Sequence, residues 1–434
     1  MPPSFTHIRD PETQRPRRRL RPAAEGLSRR DWSMCDPMDP LRVNMKYNTR
    51  FEAGWRRYQQ VLLWIIWRWG ISAVLIFGCG RVTDPPTEDR MIHPIAAGIA
   101  VLDGQTDTAF TFSACKWRGG ATAAVSITYD APWGTHADHN LATDAVIERK
   151  LRLDLELVSS IFEEPKWAPL LSVYRTQLMP RGIGFFGHGH THALHDTMTY
   201  AHAYESFRMN FELMTQWGLR PRAYAYPGSA GREQSTQNAC RDAGFICARG
   251  DSYTWKEAIL LAGEETAPKN WYFLPSVVMG NASYRYLDTH EKLVPVLDRT
   301  IQDGGWVIMT YHAIGIPGSW SFYPIKDFRQ DLDAILERDF WSANMDAAAC
   351  YVMERNALTW EVIREPTGAP MDTLIVRLDD GLSDDMYDEP LTFELTGGTS
   401  SVTLDGILVE PGQTVQINAL PDGRLMTFYV TSRH

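Results

Sequence analysis

Four histidines crowd one short stretch of the chain. Gly187-His188-Gly189-His190-Thr191-His192 carries three within five residues, and His195 follows. Neutral imidazole is the commonest side-chain ligand for a protein-bound metal, so this stretch offers metal chemistry. His188 and His192 stand four residues apart. That spacing brings two rings together on a first helical turn or in a tight loop, with small residues letting the backbone bend. Other polar side chains follow apolar runs: Asp130 after Ala123 to Tyr129, Tyr226 after Ala223 to Ala225, and His312 after Gly305 to Tyr311. Where such runs are parallel strands, their carboxyl ends gather at one face, and chemistry collects there.

The intervening segments supply the elements that position these residues. Ile183, Phe185 and Phe186 lead into the histidines as a buried strand. Residues 141–161 carry apolar side chains at helical spacing. Helical patterns recur around Tyr204–Trp217, which Gly218 stops, over His290–Ile301, and as two short helices within 325–360. Residues 221–228 read as a strand running into a turn, and 244–248 as another short strand. Strand and helix alternate, which predicts an α/β fold with a parallel sheet or barrel. After Pro366 the pattern changes to short alternating strands separated by turns such as Thr396-Gly397-Gly398 and Pro421-Asp422-Gly423, which predicts a small C-terminal antiparallel β domain over 366–434.

At 434 residues and 44% hydrophobic content the chain has ample material for a sizeable core. A net charge of -10 argues against a general nucleic-acid binder. Six cysteines with no CxxC argue against a disulfide framework, and Cys240 and Cys247 read as buried small hydrophobes. No internal repeat, P-loop, GxSxG or GxGxxG constellation stands in a convincing context. Residues 1–44 form an Arg- and Pro-rich segment with disordered composition, and Met45 offers a second start that would leave it untranslated. Residues 45–79 read as a secretory or membrane-anchor segment: Arg56, Arg57 and Arg68 precede the apolar run Trp69 to Cys79. Ile76-Phe77-Gly78-Cys79 resembles a bacterial lipobox, which would make Cys79 a lipidated mature N-terminus. Both readings place the bulk of the chain outside the cytoplasm, membrane-anchored or secreted. Residues 80–114 read as linker and lead-in.

The order of motifs over 115–362 resembles the polysaccharide deacetylases, the NodB-homology enzymes of carbohydrate esterase family four. Ile127-Thr128-Tyr129-Asp130 resembles their T-F-D-D, and His188 to His192 their H-x-x-x-H pair. Ala225-Tyr226-Pro227-Gly228 stands where they carry R-x-P-Y or a variant, and Asp251 to Trp255 partly resembles their D-x-x-D-W. Trp306 to His312 is similar to the strand that ends in their last histidine. The resemblance implies an irregular (β/α) barrel of seven strands and a hydrolase that removes N-acetyl groups from a glycan. It implies a divalent metal, zinc ahead of cobalt, nickel or manganese, held by His188 and His192. It implies Asp130 as general base, His312 as general acid and the Tyr226 backbone N–H as an oxyanion donor.

Two departures matter. The family's second Asp, a metal ligand, is Ala131 here, and the Arg of its third motif is missing. Two imidazoles alone hold a metal weakly. Asp138, His136 or His139 can supply a third ligand; or Asp130 binds the metal and leaves the base role vacant; or the site is metal-free and inactive. The rival functions are therefore a catalytically impaired glycan-binding relative and a hydrolase of another non-peptide C–N bond, such as a cyclic amide, on the same fold.

Overall fold

The computed structural model describes residues 92–94, 99–103, 107–130, 140–282, 287–364 and 371–431. The chain divides into two units, 1–85 and 86–434, and all the described residues belong to the second. Cys79, Ala131, His136, Asp138 and His139 lie outside the described residues, as does the whole of 1–79. Among the described residues, no helix is long and apolar enough to cross a membrane.

Three strands come first: β1 (Ile92–Pro94), β2 (Ile99–Asp103) and β3 (Asp107–Ala114). The α/β part then runs β4 (Ala123–Tyr129), α1 (Asn140–Glu148), β5 (Leu153–Leu157), α2 (Ser159–Phe162), α3 (Ala168–Val173), β6 (Ile183–Gly187) and α4 (Tyr200–Gln216). It continues with β7 (Ala223–Ala225), α5 (Gln234–Asp242), β8 (Cys247–Asp251), β9 (Ile259–Leu260), β10 (Leu274–Val278), α6 (His290–Asp303) and β11 (Trp306–Tyr311). It ends with α7 (Ile325–Leu336), β12 (Phe340–Ser342) and α8 (Met345–Ala357).

Seven parallel strands, in the order β4-β5-β6-β7-β8-β10-β11, close into a barrel. The closure is the pairing of β11 back onto β4, from Trp306↔Ala124 to Tyr311↔Tyr129. The fold class is therefore the α/β barrel with added antiparallel sheets that the sequence predicts. Strands buried on both faces need apolar residues on both, which is why β4 reads as a nearly continuous apolar run. Successive side chains alternate between the two faces. Val125, Ile127, Tyr129, Leu153, Leu155 and Leu157 point outward and join one core with the helices, including Leu293 and Leu297 of α6 and Leu332 of α7. Ala124, Phe186, Cys247, Trp306 and Ile308 join a second core with Met345 and Ala348 of α8, which fills the amino-terminal end of the barrel. The same inward rows carry Asp130, Glu156, His188, Arg249 and His312 at the other end.

Two segments differ from the sequence reading. The helical pattern over 141–161 breaks after Glu148, Lys150 adopts a left-handed φ of 58°, and 153–157 forms the buried strand β5. Apolar residues at 151, 153, 155 and 157 satisfy a period of two, and the slot between β4 and β6 selects that period over the helical one. The stretch taken as linker and lead-in contains β1–β3, which complete the C-terminal sheets. The further strands are β13 (Thr359–Arg364), β14 (Met371–Asp379), β15 (Leu391–Gly397), β16 (Ser401–Leu404), β17 (Ile407–Val409), β18 (Thr414–Ala419) and β19 (Asp422–Thr431). They form a six-stranded sheet, β1-β13-β14-β19-β16-β17, and a four-stranded sheet, β18-β15-β3-β2. The physical reason is edge protection: without β3, strand β15 would present an unpaired edge. Phe112 stacks on Phe393 at 4.7 Å between ring centres, and Tyr351 of α8 reaches into the same core. Arg222, bonded to Asp346 and Asp388 at 2.8 and 2.7 Å, adds a polar tie between the barrel and the segment preceding β15.

Candidate active site

Asp130 follows the last residue of β4. Its N–H donates to the Tyr311 carbonyl at 2.9 Å, so the strand pairing carries its side chain inward. The carboxylate is buried and accepts from the Arg249 guanidinium. Its other oxygen lies 4.0 Å from His312 Nε2. Burial pushes the Asp130 carboxyl up. Arg249, then His188 and His312, outweigh that and hold it below the ordinary aspartate range. Arg249 comes from β8, with its guanidinium over the Phe186 ring at 5.0 Å. It supplies from a different strand the restraint on Asp130 that the missing third-motif Arg leaves open.

His188 is buried directly after β6. Its Nδ1 lies 2.9 Å from the Ala225 carbonyl, which can only accept, so Nδ1 carries the hydrogen. Burial holds this imidazole down at about 3, hence neutral, and Nε2 keeps a bare lone pair. That lone pair faces Glu156 Oε2 at 3.3 Å. Burial, and then the neighbouring Asp130, pushes the Glu156 carboxyl well up. A lone pair and buried carboxylate oxygens turned toward one another are stable only with a proton or a cation between them. One donor atom from each of Asp130, Glu156 and His188 lies within 4.8 Å of the others. Two carboxylates and an imidazole suit a divalent metal such as zinc or manganese, so these residues fit the cation that the resemblance implies.

His192 follows through a tight turn in which Gly189 has a φ of 84° and His192 itself a φ of 57°. Its ring centre lies 4.9 Å from that of His188, so the histidine pair does converge, although His192 stands outside the compact three-residue group. His190 instead meets Ser159 Oγ at 3.0 Å, and His195 meets Ser206 Oγ at 3.0 Å while stacking on Phe207. Both support the loop.

His312 follows β11. Burial holds its imidazole down at about 4, and its buried Nδ1 has no hydrogen-bond partner among the described residues. Trp320 stands edge-on to it, with ring centres 4.4 Å apart, and is 59% exposed at the rim. Tyr226 requires a correction. Its N–H donates to the Arg249 carbonyl at 3.1 Å as part of the strand pairing, so that amide has no proton left for an oxyanion. The Tyr226 side chain lines the cavity, and its hydroxyl donates to the Tyr272 carbonyl at 3.0 Å. Asp251, at the end of β8, also lines the cavity and pairs with Arg232 at 2.7 Å.

Asp130, Glu156, His188, His192, Arg249, His312 and Trp320 surround one cavity of about 680 Å³, which His190 and His195 do not line. It is large enough for one or two sugar rings. Sequence reasoning missed Glu156 and Arg249. The available signal for Glu156 was the alternation Leu153-Asp154-Leu155-Glu156-Leu157, which sets the acids on the face opposite the leucines.

No protein-family model matches the sequence, and no curated protein matches it. Solved structures do. The chain is similar to a family 4 carbohydrate esterase from Streptomyces lividans in complex with acetate: 14% identity, TM-score 0.35, 52% of this chain and 95% of that one covered. It is similar to a putative polysaccharide deacetylase from Mycobacterium smegmatis, with 16% identity, TM-score 0.39, and 55% and 93% covered. It is also similar to Agd3, described as a novel carbohydrate deacetylase, with 13% identity, TM-score 0.40, and 72% and 65% covered. At these identities and scores, the fold class rests on the strand order and barrel closure themselves.

Proposed function

We propose that the chain is a metal-dependent hydrolase that removes N-acetyl groups from an acetylated glycan. The observation that carries this reading is the convergence of Asp130, Glu156 and His188 beside His312 in one sugar-sized cavity. His188, through its bare Nε2, and the neighbouring acidic and histidine side chains would hold the cation. When bound, a divalent cation polarises an amide carbonyl and makes a water more acidic.

The protein groups do the rest. Asp130, kept ionised by Arg249, takes a proton from the attacking water. His312 delivers a proton to the departing amine. His312 is neutral at rest, so the proton it delivers is the one Asp130 takes, relayed by one water across the 4.0 Å between them; the C–N bond breaks and the products are acetate and a free amino sugar. Each such transfer typically contributes about 10²–10⁴-fold in rate. Trp320, exposed at the rim, offers an aromatic surface for a sugar ring. Placement outside the cytoplasm, with a lipid on Cys79 or an N-terminal anchor, is proposed from the sequence alone.

The test is acetate release from an N-acetylated polysaccharide, before and after chelation and with metal restored. We expect Asp130→Asn and His188→Ala each to abolish release. Full activity in both variants would refute the mechanism. Glycan binding with no acetate release by the wild type would make the protein a binding relative. Hydrolysis of small cyclic amides in preference to glycan would move the substrate class.

A further inference from the structure

We infer that the carboxylate ligand of this metal site has moved to a neighbouring strand: Glu156 takes the cation, and Asp130 is kept off it for proton transfer. The inference rests on the metal-hydrolase reading above.

The strand register gives the first argument. Thr128 pairs with Asp154 and Tyr129 with Leu155 across β4 and β5, so Asp130 and Glu156 are the next residues on adjacent inward-facing rows. A carboxylate lost from the position after Asp130 is thus replaced by one entering from the side. Ala131 offers no donor of its own.

The second argument is the unequal company the two acids keep. Asp130 already has a permanent counter-charge, because Arg249 donates to one of its oxygens. Cation binding there would compete with a buried guanidinium. Among the described residues, Glu156 makes no hydrogen bond, and its one ion-pair contact is His188 Nε2 at 3.3 Å. Both side chains are buried, at 7% and 3% exposure. Since His188 Nδ1 is committed to the Ala225 carbonyl, the atom facing Glu156 is a metal-ligating lone pair. The His188 lone pair and the Glu156 carboxyl oxygen turn on one point out of water, a socket that holds a proton at rest and exchanges it for a cation. His192, with its ring 4.9 Å from that of His188, is placed to complete a two-His, one-carboxylate set that leaves positions open toward the cavity.

Cobalt(II) binding to the full chain, purified free of metal, tests the division of labour. Titration calorimetry gives the affinity and the visible absorption of bound cobalt gives the ligand set, so neither depends on activity. Glu156→Gln keeps the shape of the side chain and should weaken cobalt binding by about 100-fold or more and alter the absorption, whereas Asp130→Asn, which removes a nearby charge but no ligand, should weaken binding and leave the absorption of bound cobalt as in the wild type. Glu156→Asp keeps the charge but withdraws it by one methylene, and should fall between wild type and Glu156→Gln in cobalt affinity, which decides the matter even if the Gln variant misfolds. The inference is overturned if Asp130→Asn alters the absorption of bound cobalt as Glu156→Gln does, or if Glu156→Gln binds like wild type. If the wild type itself takes up no cobalt, the metal-hydrolase reading fails first.

Discussion

Removing the Arg249 guanidinium is the most demanding test of the electrostatics. In Arg249→Met, the Asp130 carboxylate, 8% exposed, loses the one permanent cation it has among the described residues. Breaking a buried pair from one side costs about 3–5 kcal/mol, because a charge is left without compensation. The lost contact with the Phe186 face, at 5.0 Å, adds about 0.5–1 kcal/mol. Most of the first figure belongs to the stranded charge, so Arg249→Met/Asp130→Asn should recover about 2–3 kcal/mol relative to the sum of the single variants. The pH dependence has a definite sign. In the wild type, Asp130 titrates below its ordinary value, so it contributes stability that is present above about pH 4 and lost as pH falls. Without Arg249, burial dominates and its pKa rises. The variant then loses stability as pH rises through that range, and the gap from wild type widens toward neutrality. Urea unfolding of the metal-free single and double variants, at pH 4 and pH 7, measures all of this. Additive single effects, or a deficit that does not change with pH, would refute the reasoning.

Three further outcomes follow from the geometry. Trp320→Ala should raise KM for a polymeric substrate by about 2- to 10-fold, the worth of one aromatic stacking contact, while leaving cobalt affinity unchanged. Gly280→Ala would put a Cβ 2.3 Å from the Ser321 carbonyl oxygen at a φ of 113°. It should cost about 2–4 kcal/mol in unfolding experiments and raise KM by displacing the segment that carries Trp320. Glu354 is buried, accepts from the Glu389 N–H, and has its pKa pushed up by burial to about 8. Its folded pKa exceeds the unfolded one, so its contribution to stability is complete below about pH 4.5 and is lost as pH rises through about 8. Glu354→Gln keeps an acceptor for Glu389 and should flatten the melting-temperature profile over that window, with an upper limit of roughly 4–5 kcal/mol.

The sequence by itself determined where the barrel strands end and what most of those ends carry. Apolar runs that finish in Asp130, His188 and His312 are legible because a strand buried on both faces must be apolar along its length. A charged or ligating residue survives only where the strand emerges. The closeness of His188 and His192 is likewise local, fixed by four residues of chain and a flexible Gly189. What only the tertiary structure decided is which side chains turn inward to meet them. Glu156 sits among leucines spaced two apart, at the end of a longer apolar stretch that begins with helical spacing, and the slot beside β4 settles the choice. Arg249 is one arginine among many until barrel closure sets it across from Asp130. Nothing in the local sequence shows that the Tyr226 N–H donates to the Arg249 carbonyl oxygen and is spent in strand pairing. Strands β1 and β3 found their role only when partners more than 240 residues away gave their edges something to bind. Local patterning reports how each segment is buried. The partner of a buried charge is fixed by contacts between distant segments, and those exist only once the barrel has closed.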